Sequence, residues 1–181
     1  MPTMTLTVTG GTVGLGWGAS GAPTAVHAIG SDDGLTASGS SYATCSINLV
    51  NISDIDMSAP SVAEGAMDAT NPITSVRFLG VGRMPGRGAS GTDLDIKFDV
   101  PDGHRETLNF FNNVNYEVEY GTTRETAPDG SDWTYANIED LKCGLIKNGT
   151  NLINLAYFAV EVVYVAAGEV ADNATFFGAN F

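Results

Sequence analysis

The segment from Leu152 to Val165 limits the fold of this chain more than any other feature, because it is apolar at almost every position. Successive side chains of a strand point to opposite faces, so a strand here carries apolar residues on both. Such a strand is central or covered twice, which favours two packed sheets. A membrane-spanning helix fits less well, since the stretch to Gly168 contains Asn154 and Glu161 and falls short of roughly 20 apolar residues.

Two-residue alternation of apolar and polar side chains recurs along the chain and predicts further strands. It is clearest from Leu94 to Val100, where aspartate and lysine alternate with apolar residues. Strands are predicted at 3–9, 73–81, 94–100, 116–120 and 142–146. The Asn148-Gly149 pair predicts a hairpin turn, because both residue types tolerate positive φ.

One short helix is predicted at about 134–141, where Asp132 or Thr134 can cap it and Ile138 and Leu141 have helical spacing. The predicted fold class is therefore all-β: an antiparallel β-sandwich or jelly roll with this helix and with extended N- and C-terminal arms.

A length of 181 residues fits one domain with an arm at each end. The predicted divisions are an N-terminal strand and Gly-rich arm at 1–22, a β-sandwich at 23–168 and a Phe-rich C-terminal arm at 169–181. Apolar side chains at both ends lie outside the central pattern and suggest contacts with neighbouring subunits, although the C-terminal phenylalanines could equally pack onto their own domain. The interface candidates are Met4, Leu6, Val8, Trp17, Phe176, Phe177 and Phe181.

The formal net charge of −13 argues against nucleic acid as a partner, because phosphate backbones are bound by clustered lysine and arginine. An acidic surface keeps a protein soluble at high concentration, and we give the charge no catalytic meaning. The N-terminal residues show neither the basic nor the apolar region of a secretory signal, so synthesis in the cytoplasm is expected.

No catalytic motif is visible, and we expect no catalytic activity, no cofactor and no metal. His27 and His104 lie in turn-like surroundings and are expected at the surface. Cys45 and Cys143 form no metal-binding or redox spacing and are expected to be small buried residues, with a disulfide between them left open. The strand aspartates could hold Ca²⁺, but no calcium-loop pattern is present and a solvated strand face is the simpler interpretation.

The second half of the chain resembles a recurrent pattern in virion proteins of tailed bacteriophages. The resemblance lies in Pro128 to Thr134, Ile138 to Leu141, Cys143 to Ile146 and Asn154 to Tyr164, with Ile73 to Phe78 before them. In that group a Trp-Thr pair opens a short helix, a Gly-containing strand follows, and a closing strand reads like V-E-V-x-Y. The match covers roughly residues 70 to 165, and the Gly-rich first third and the Phe-rich extension depart from it.

The resemblance implies a β-sandwich or jelly-roll domain of a virus particle without enzymatic activity, as a head decoration, a fibre or a tail component. We therefore expect a homo-oligomer, with a trimer slightly favoured, that docks to other virion proteins such as the major capsid protein and is located in the virion. The alternative is an extracellular or cell-surface carbohydrate- or protein-binding module. In that case Trp17, Trp133 and Tyr135 should line an exposed sugar-stacking face.

Overall fold

Strand β10 (Ile153–Tyr164) is the centre of the molecule, and every residue from Ile153 to Val160 is buried. It pairs along one edge with β5 (Ile73–Arg83) and along the other with β1 (Thr3–Val13) and β3 (Tyr42–Cys45). The computed structural model describes residues 1–30, 41–46, 50–85, 92–100, 104–112, 114–149 and 151–166. Within them β10 is covered on both faces, as its sequence predicts.

The strands form two sheets in which every pair is antiparallel. Sheet A contains β10, β5, β3 and the first half of β1, with β2 (Trp17–Ser20) and β8 (Glu117–Tyr120) at its edges. Sheet B runs from the second half of β1 through β4 (Val50–Met57), β9 (Lys142–Asn148) and β6 (Thr92–Val100) to β7 (Arg105–Phe110). The predicted all-β antiparallel sandwich is confirmed.

Strand β1 belongs to both sheets and joins them. Its residues Thr3 to Thr7 pair with β10, and from Val8 onward it pairs with β4, with register shifts around Gly10. We therefore correct the prediction that residues 1–22 form an arm, because β1 and β2 are strands of the sandwich itself. The predicted C-terminal arm, 169–181, lies outside the described residues.

The core fills the space between the sheets and includes a stacked pair of rings, Phe78 and Phe158, with centroids 5.8 Å apart. Phe110 of sheet B enters the same layer and is fully buried. Gly82 makes room for it, since a Cβ at that position would lie 3.0 Å from the Phe110 ring. Aromatic pairs of this kind contribute about 0.5–1.5 kcal/mol beyond their area burial.

Two five-residue helices accompany the strands in the described parts of the chain. Helix α2 (Tyr135–Glu139) lies within the predicted range and has a capping box: Thr134 Oγ1 accepts from Asn137 N at 3.2 Å, and Asn137 Oδ1 accepts from Thr134 N at 3.0 Å. Helix α1 (Ala25–Ile29) was not predicted, although Thr24 precedes it and Gly30 follows it. Tertiary packing determines it, because Ala28 and Ile29 are fully buried.

The Asn148-Gly149 turn differs from its prediction. Gly149 has the expected positive φ of 88°, but the flanking strands β9 and β10 belong to opposite sheets and do not pair with each other. The segment is a crossing between sheets and not a hairpin. A turn signal specifies local backbone dihedrals, whereas the partner of each strand is set by packing elsewhere.

Lys147 is the one lysine in the described core and is fully buried, with Nζ donating to the Gly149 carbonyl at 2.6 Å. Burial lowers the pKa of its ammonium below the ordinary value of 10.5, because the charged form loses hydration. One hydrogen bond does not replace that hydration, so Lys147 reduces the stability of the sandwich.

Replacing this lysine with an apolar residue should therefore stabilise the protein. We expect Lys147→Met to raise the free energy of unfolding by about 1–3 kcal/mol, measured by urea denaturation at neutral pH. The matched control is Lys142→Met on the same strand, whose side chain is 45% exposed and which should change stability by less than about 0.5 kcal/mol.

The pH dependence provides a second check on Lys147. Because its pKa is lowered on folding, the unfolded chain binds more protons between the lowered value and 10.5, and wild-type stability rises with pH across that window. The advantage of Lys147→Met should therefore shrink as the pH approaches 10.5. An advantage that is constant with pH, or a less stable variant, would contradict this account.

Candidate interaction surface

The outer face of sheet A, on the side away from the sandwich core, brings two arginines and three tyrosines together. The alternation of β5 places Arg77, Leu79, Val81 and Arg83 on this face, while Val76 and Phe78 point into the core. We call the surface formed by these side chains the tyrosine–arginine face: Tyr42, Arg77, Arg83, Tyr116 and Tyr120.

Arginine and tyrosine side chains on this face are stacked in pairs. The Arg77 guanidinium lies 4.3 Å from the centroid of the Tyr120 ring, and that of Arg83 lies 4.9 Å from the Tyr116 ring. Both distances are within the range of cation–π attraction. Tyr42 extends the row, with its ring centroid 6.5 Å from that of Tyr116.

Each arginine is also held by a hydrogen bond. Arg77 Nε donates to Glu161 Oε1 at 2.6 Å, and Arg83 Nη1 donates to the Val114 carbonyl at 2.9 Å. These bonds restrict the guanidinium groups before any partner arrives, which reduces the entropy lost on binding. The face is therefore preorganised.

A small apolar cluster lies beneath the tyrosines and arginines, separate from the main core. It consists of Leu79, Val81, Ala156, Tyr157 and Ala159, all buried. Because these residues fix the positions of the side chains above them, the face has a packed base.

Strand β8 forms an open edge next to this face. Among the described residues it pairs with β5 alone. Val118 is 36% exposed and Tyr120 is 44% exposed, and the preceding segment adds Phe111 at 61% and Val114 at 66%. An unpaired strand edge beside exposed apolar side chains is suited to receive another chain.

The segment before β8 is held in place by its own side chains. The Glu117 carboxylate accepts from the backbone N–H groups of Phe111 and Asn112, the latter at 3.0 Å. Asn112 Oδ1 accepts from the backbone N–H of Val114 and of Asn115, both at 2.9 Å. The backbone N–H groups of the exposed Phe111 and Val114 are therefore each held by a nearby side chain.

Burial perturbs two ionisable groups at this edge. It raises the pKa of the Tyr116 hydroxyl above 10.0, although the nearby Arg83 and Asn154 oppose the shift. Asn154 and Arg83 lie close enough to act on this hydroxyl, but in a geometry that falls short of a hydrogen bond. Partial burial, assisted by the charge of Glu117, raises the pKa of the Glu119 carboxyl.

Four of the interface residues predicted from the sequence lie in the core and not at the surface. Met4, Leu6, Val8 and Trp17 are buried in the core of this same chain, so we correct their assignment to an intersubunit contact. The alternation that suggested a docking strand buries these side chains between the chain's own sheets. The remaining candidates, Phe176, Phe177 and Phe181, lie outside the described residues and stay a prediction.

The tyrosine–arginine face was not predicted from the sequence, although a signal was present. The odd-numbered positions from Arg77 to Arg83 share one side of any strand, and so do Val118 and Tyr120. What the sequence did not show is that the two strands are neighbours, with Leu79 opposite Tyr120.

The three aromatic residues predicted to line a sugar-stacking face do not form an exposed face. Trp17 is 8% exposed and Trp133 is 4% exposed, and Trp133 Nε1 donates to the Arg124 carbonyl at 3.1 Å. Tyr135 is half-buried against the core. The carbohydrate-binding alternative therefore loses the residues on which it was based.

Cys45 and Cys143 are both buried thiols, as expected for small core residues. Within the described ranges no group of three or more His, Cys, Asp or Glu side chains is arranged to hold a metal ion. No helix in the same part of the chain is long and apolar enough to cross a membrane.

Comparisons with known proteins give little guidance. No protein-family model matches the chain, and no curated protein matches it. Among solved structures, it is similar to the catalytic domain of a GH87 alpha-1,3-glucanase in complex with tetrasaccharides, with 13% identity and a TM-score of 0.45. The match covers 96% of this chain and 30% of that one.

This comparison contradicts the expectation that the chain has no catalytic activity, because the similar structure is a catalytic domain. We therefore withdraw that expectation. With a TM-score of 0.45, the likeness assigns neither a reaction nor a substrate to this chain.

The raised pKa of Tyr116 leads to a prediction about alkaline pH. Because folding raises this pKa, the stabilising contribution of the neutral hydroxyl is present below 10.0 and is lost as the pH rises further. Wild type should therefore lose stability relative to Tyr116→Phe above that pH, measured by urea denaturation at a series of pH values. Tyr135→Phe is the matched control, and an equal pH dependence of all three proteins would refute the prediction.

Proposed function

We propose that this chain is a structural component of a bacteriophage particle, acting through association with copies of itself and with other virion proteins. The observation that carries the proposal is the open edge of β8 beside the preorganised tyrosine–arginine face. The sequence resemblance to virion proteins supports the same role, since residues 70 to 165 include β5, β8, α2, β9 and β10. The proposed location is accordingly the virion.

The composition of the face favours a protein partner. Tyrosine and arginine are the residues that most often dominate the energy of protein interfaces. The chain has only 8 basic residues against 21 acidic ones, and Arg77 and Arg83 both lie on this face. Another copy of this acidic chain, or a similarly acidic virion protein, would present complementary charge.

The two glutamates of β8 influence which kind of oligomer can form. A two-fold antiparallel pairing centred on Val118 would place Glu117 opposite Glu119 of the other copy. Like charges directly opposite each other destabilise a strand pair. A cyclic arrangement, in which β8 meets a different segment of its neighbour, avoids this repulsion, and a trimer is the simplest ring of that kind.

The proposal is tested by placing charge on the exposed side of β8. We expect the double variant Val118→Asp, Tyr120→Asp to weaken self-association at least about tenfold, measured by sedimentation equilibrium, because it removes central apolar contacts and adds like charge. The same variant should fail to bind phage particles that lack the wild-type protein.

The matched control is Val62→Asp, a change at a valine that is 77% exposed in the loop before β5. It should associate like wild type, and all the variants should keep the near-ultraviolet circular dichroism of the folded chain. A wild-type protein that stays monomeric at high concentration and does not join particles would overturn the proposal.

A further inference from the structure

A second feature of sheet A is a groove of about 430 Å³ on its outer face, between β1, β10, β5 and the loop that follows β4. Thr3, Thr5, Glu64, Gly65, Leu79, Tyr157 and Glu161 line it. The volume is within the range of sites that hold a small group. None of these residues belongs to the tyrosine–arginine face, so the groove is a separate site.

The loop that forms one wall is fastened to the sheet. Thr5 N donates to the Glu64 carbonyl at 2.9 Å, and the Tyr164 hydroxyl donates to the Gly65 carbonyl at 3.0 Å. Gly65 has a φ of +75°, and a Cβ there would lie 2.3 Å from the Thr3 carbonyl oxygen. The loop approaches β1 so closely that glycine is required, and the wall is therefore fixed.

Cross-strand pairing places the polar groups of the groove in one row. Thr5 is in register with Glu161 on one side and forms a bridge with Glu64 on the other, while Glu161 is in register with Arg77. Glu161 uses Oε1 to accept from Arg77 at 2.6 Å. Among the described residues no cation pairs with Glu64, so the groove contains two carboxylates and a single neighbouring positive charge.

The two carboxylates make the groove acidic and rich in hydrogen-bond acceptors. Ionised carboxylates only accept hydrogen bonds, and the Thr5 amide is already bonded to the Glu64 carbonyl. The rest of the lining combines the hydroxyls of Thr3 and Thr5 with the apolar side chain of Leu79 and the buried Tyr157 ring. A ligand that carries positive charge, donates several hydrogen bonds and has an apolar stem therefore complements the groove.

We propose that this groove binds a cationic side chain of a protein partner, with arginine preferred. The guanidinium has five donors and no acceptor, and its stem is aliphatic. In the groove it bonds to Glu64 and to the second oxygen of Glu161 while the stem lies on Leu79. A neutral sugar fits less well, because it brings no positive charge to offset the two carboxylates.

This inference does not depend on the proposed role in a phage particle. It concerns a different site, and its test uses the whole chain with small probes, so either idea can fail without the other.

The test is a titration of the full-length protein followed by backbone amide chemical shifts, with the blocked tripeptide acetyl-Gly-Arg-Gly-amide as the probe. We expect saturable shifts at Thr5, Leu79 and Ala159, with a Kd on the order of 1 mM. Added salt should weaken the binding, because both partners are charged and partly exposed. The tripeptide with citrulline, which has arginine's shape without its charge, should give no saturable shift.

Substitutions distinguish binding of the arginine peptide in the groove from its general electrostatic attraction to an acidic protein. Glu64→Gln should raise the Kd about fivefold, the size expected when one exposed ion pair is lost. Glu125→Gln removes the same charge from an exposed loop position elsewhere and should leave the Kd unchanged. Equal weakening by both variants, binding of the citrulline peptide, or stronger shifts with a neutral oligosaccharide would each overturn the proposal.

Discussion

The burial of β10 on both faces is the constraint on which the rest of the structure depends. A strand whose residues from Ile153 to Val160 are all buried must be covered twice. On the inner side, Phe158 stacks on Phe78 and meets sheet B. On the outer side no third layer exists among the described residues, so the cover comes from side chains of sheet A itself and from the loop held by Glu64.

The side chains that cover the outer face of β10 also determine the chemistry of the outer surface of sheet A. Tyr157, Ala159 and Leu79 form a buried apolar cluster, and the side chains of Tyr42 and Tyr116 pack against it. These two tyrosines each combine an apolar body with a polar end, so they cover the cluster and remain in contact with solvent. The same property makes these residues effective contacts for a protein partner.

Local patterns in the sequence predicted several strands and helix α2 well, but they did not show what each apolar face packs against. Two-residue alternation correctly predicted β1 and β5, the continuous apolar run correctly predicted β10, and Thr134 with Ile138 correctly placed helix α2. The assignment of Met4 and Leu6 to an intersubunit contact was wrong, because both are buried in the core of their own chain. An alternating apolar pattern does not show whether the surface that buries it belongs to the same chain or to another. The groove could not be predicted either, since Glu64 and Glu161 are distant in sequence and meet only through their separate pairing with Thr5.

Arg77 physically connects the two outer sites. Its guanidinium bonds to Glu161 at the groove and stacks on Tyr120 of the tyrosine–arginine face, and its side chain is 33% exposed. A cation bound in the groove would share the charge of Glu161 and so weaken the hold of that carboxylate on Arg77. Because coupling between two binding sites is reciprocal, a partner that engages Arg77 through Tyr120 would then change the affinity of the groove by the same factor. The pairing of Arg77 with Glu161 thus links the groove to the tyrosine–arginine face.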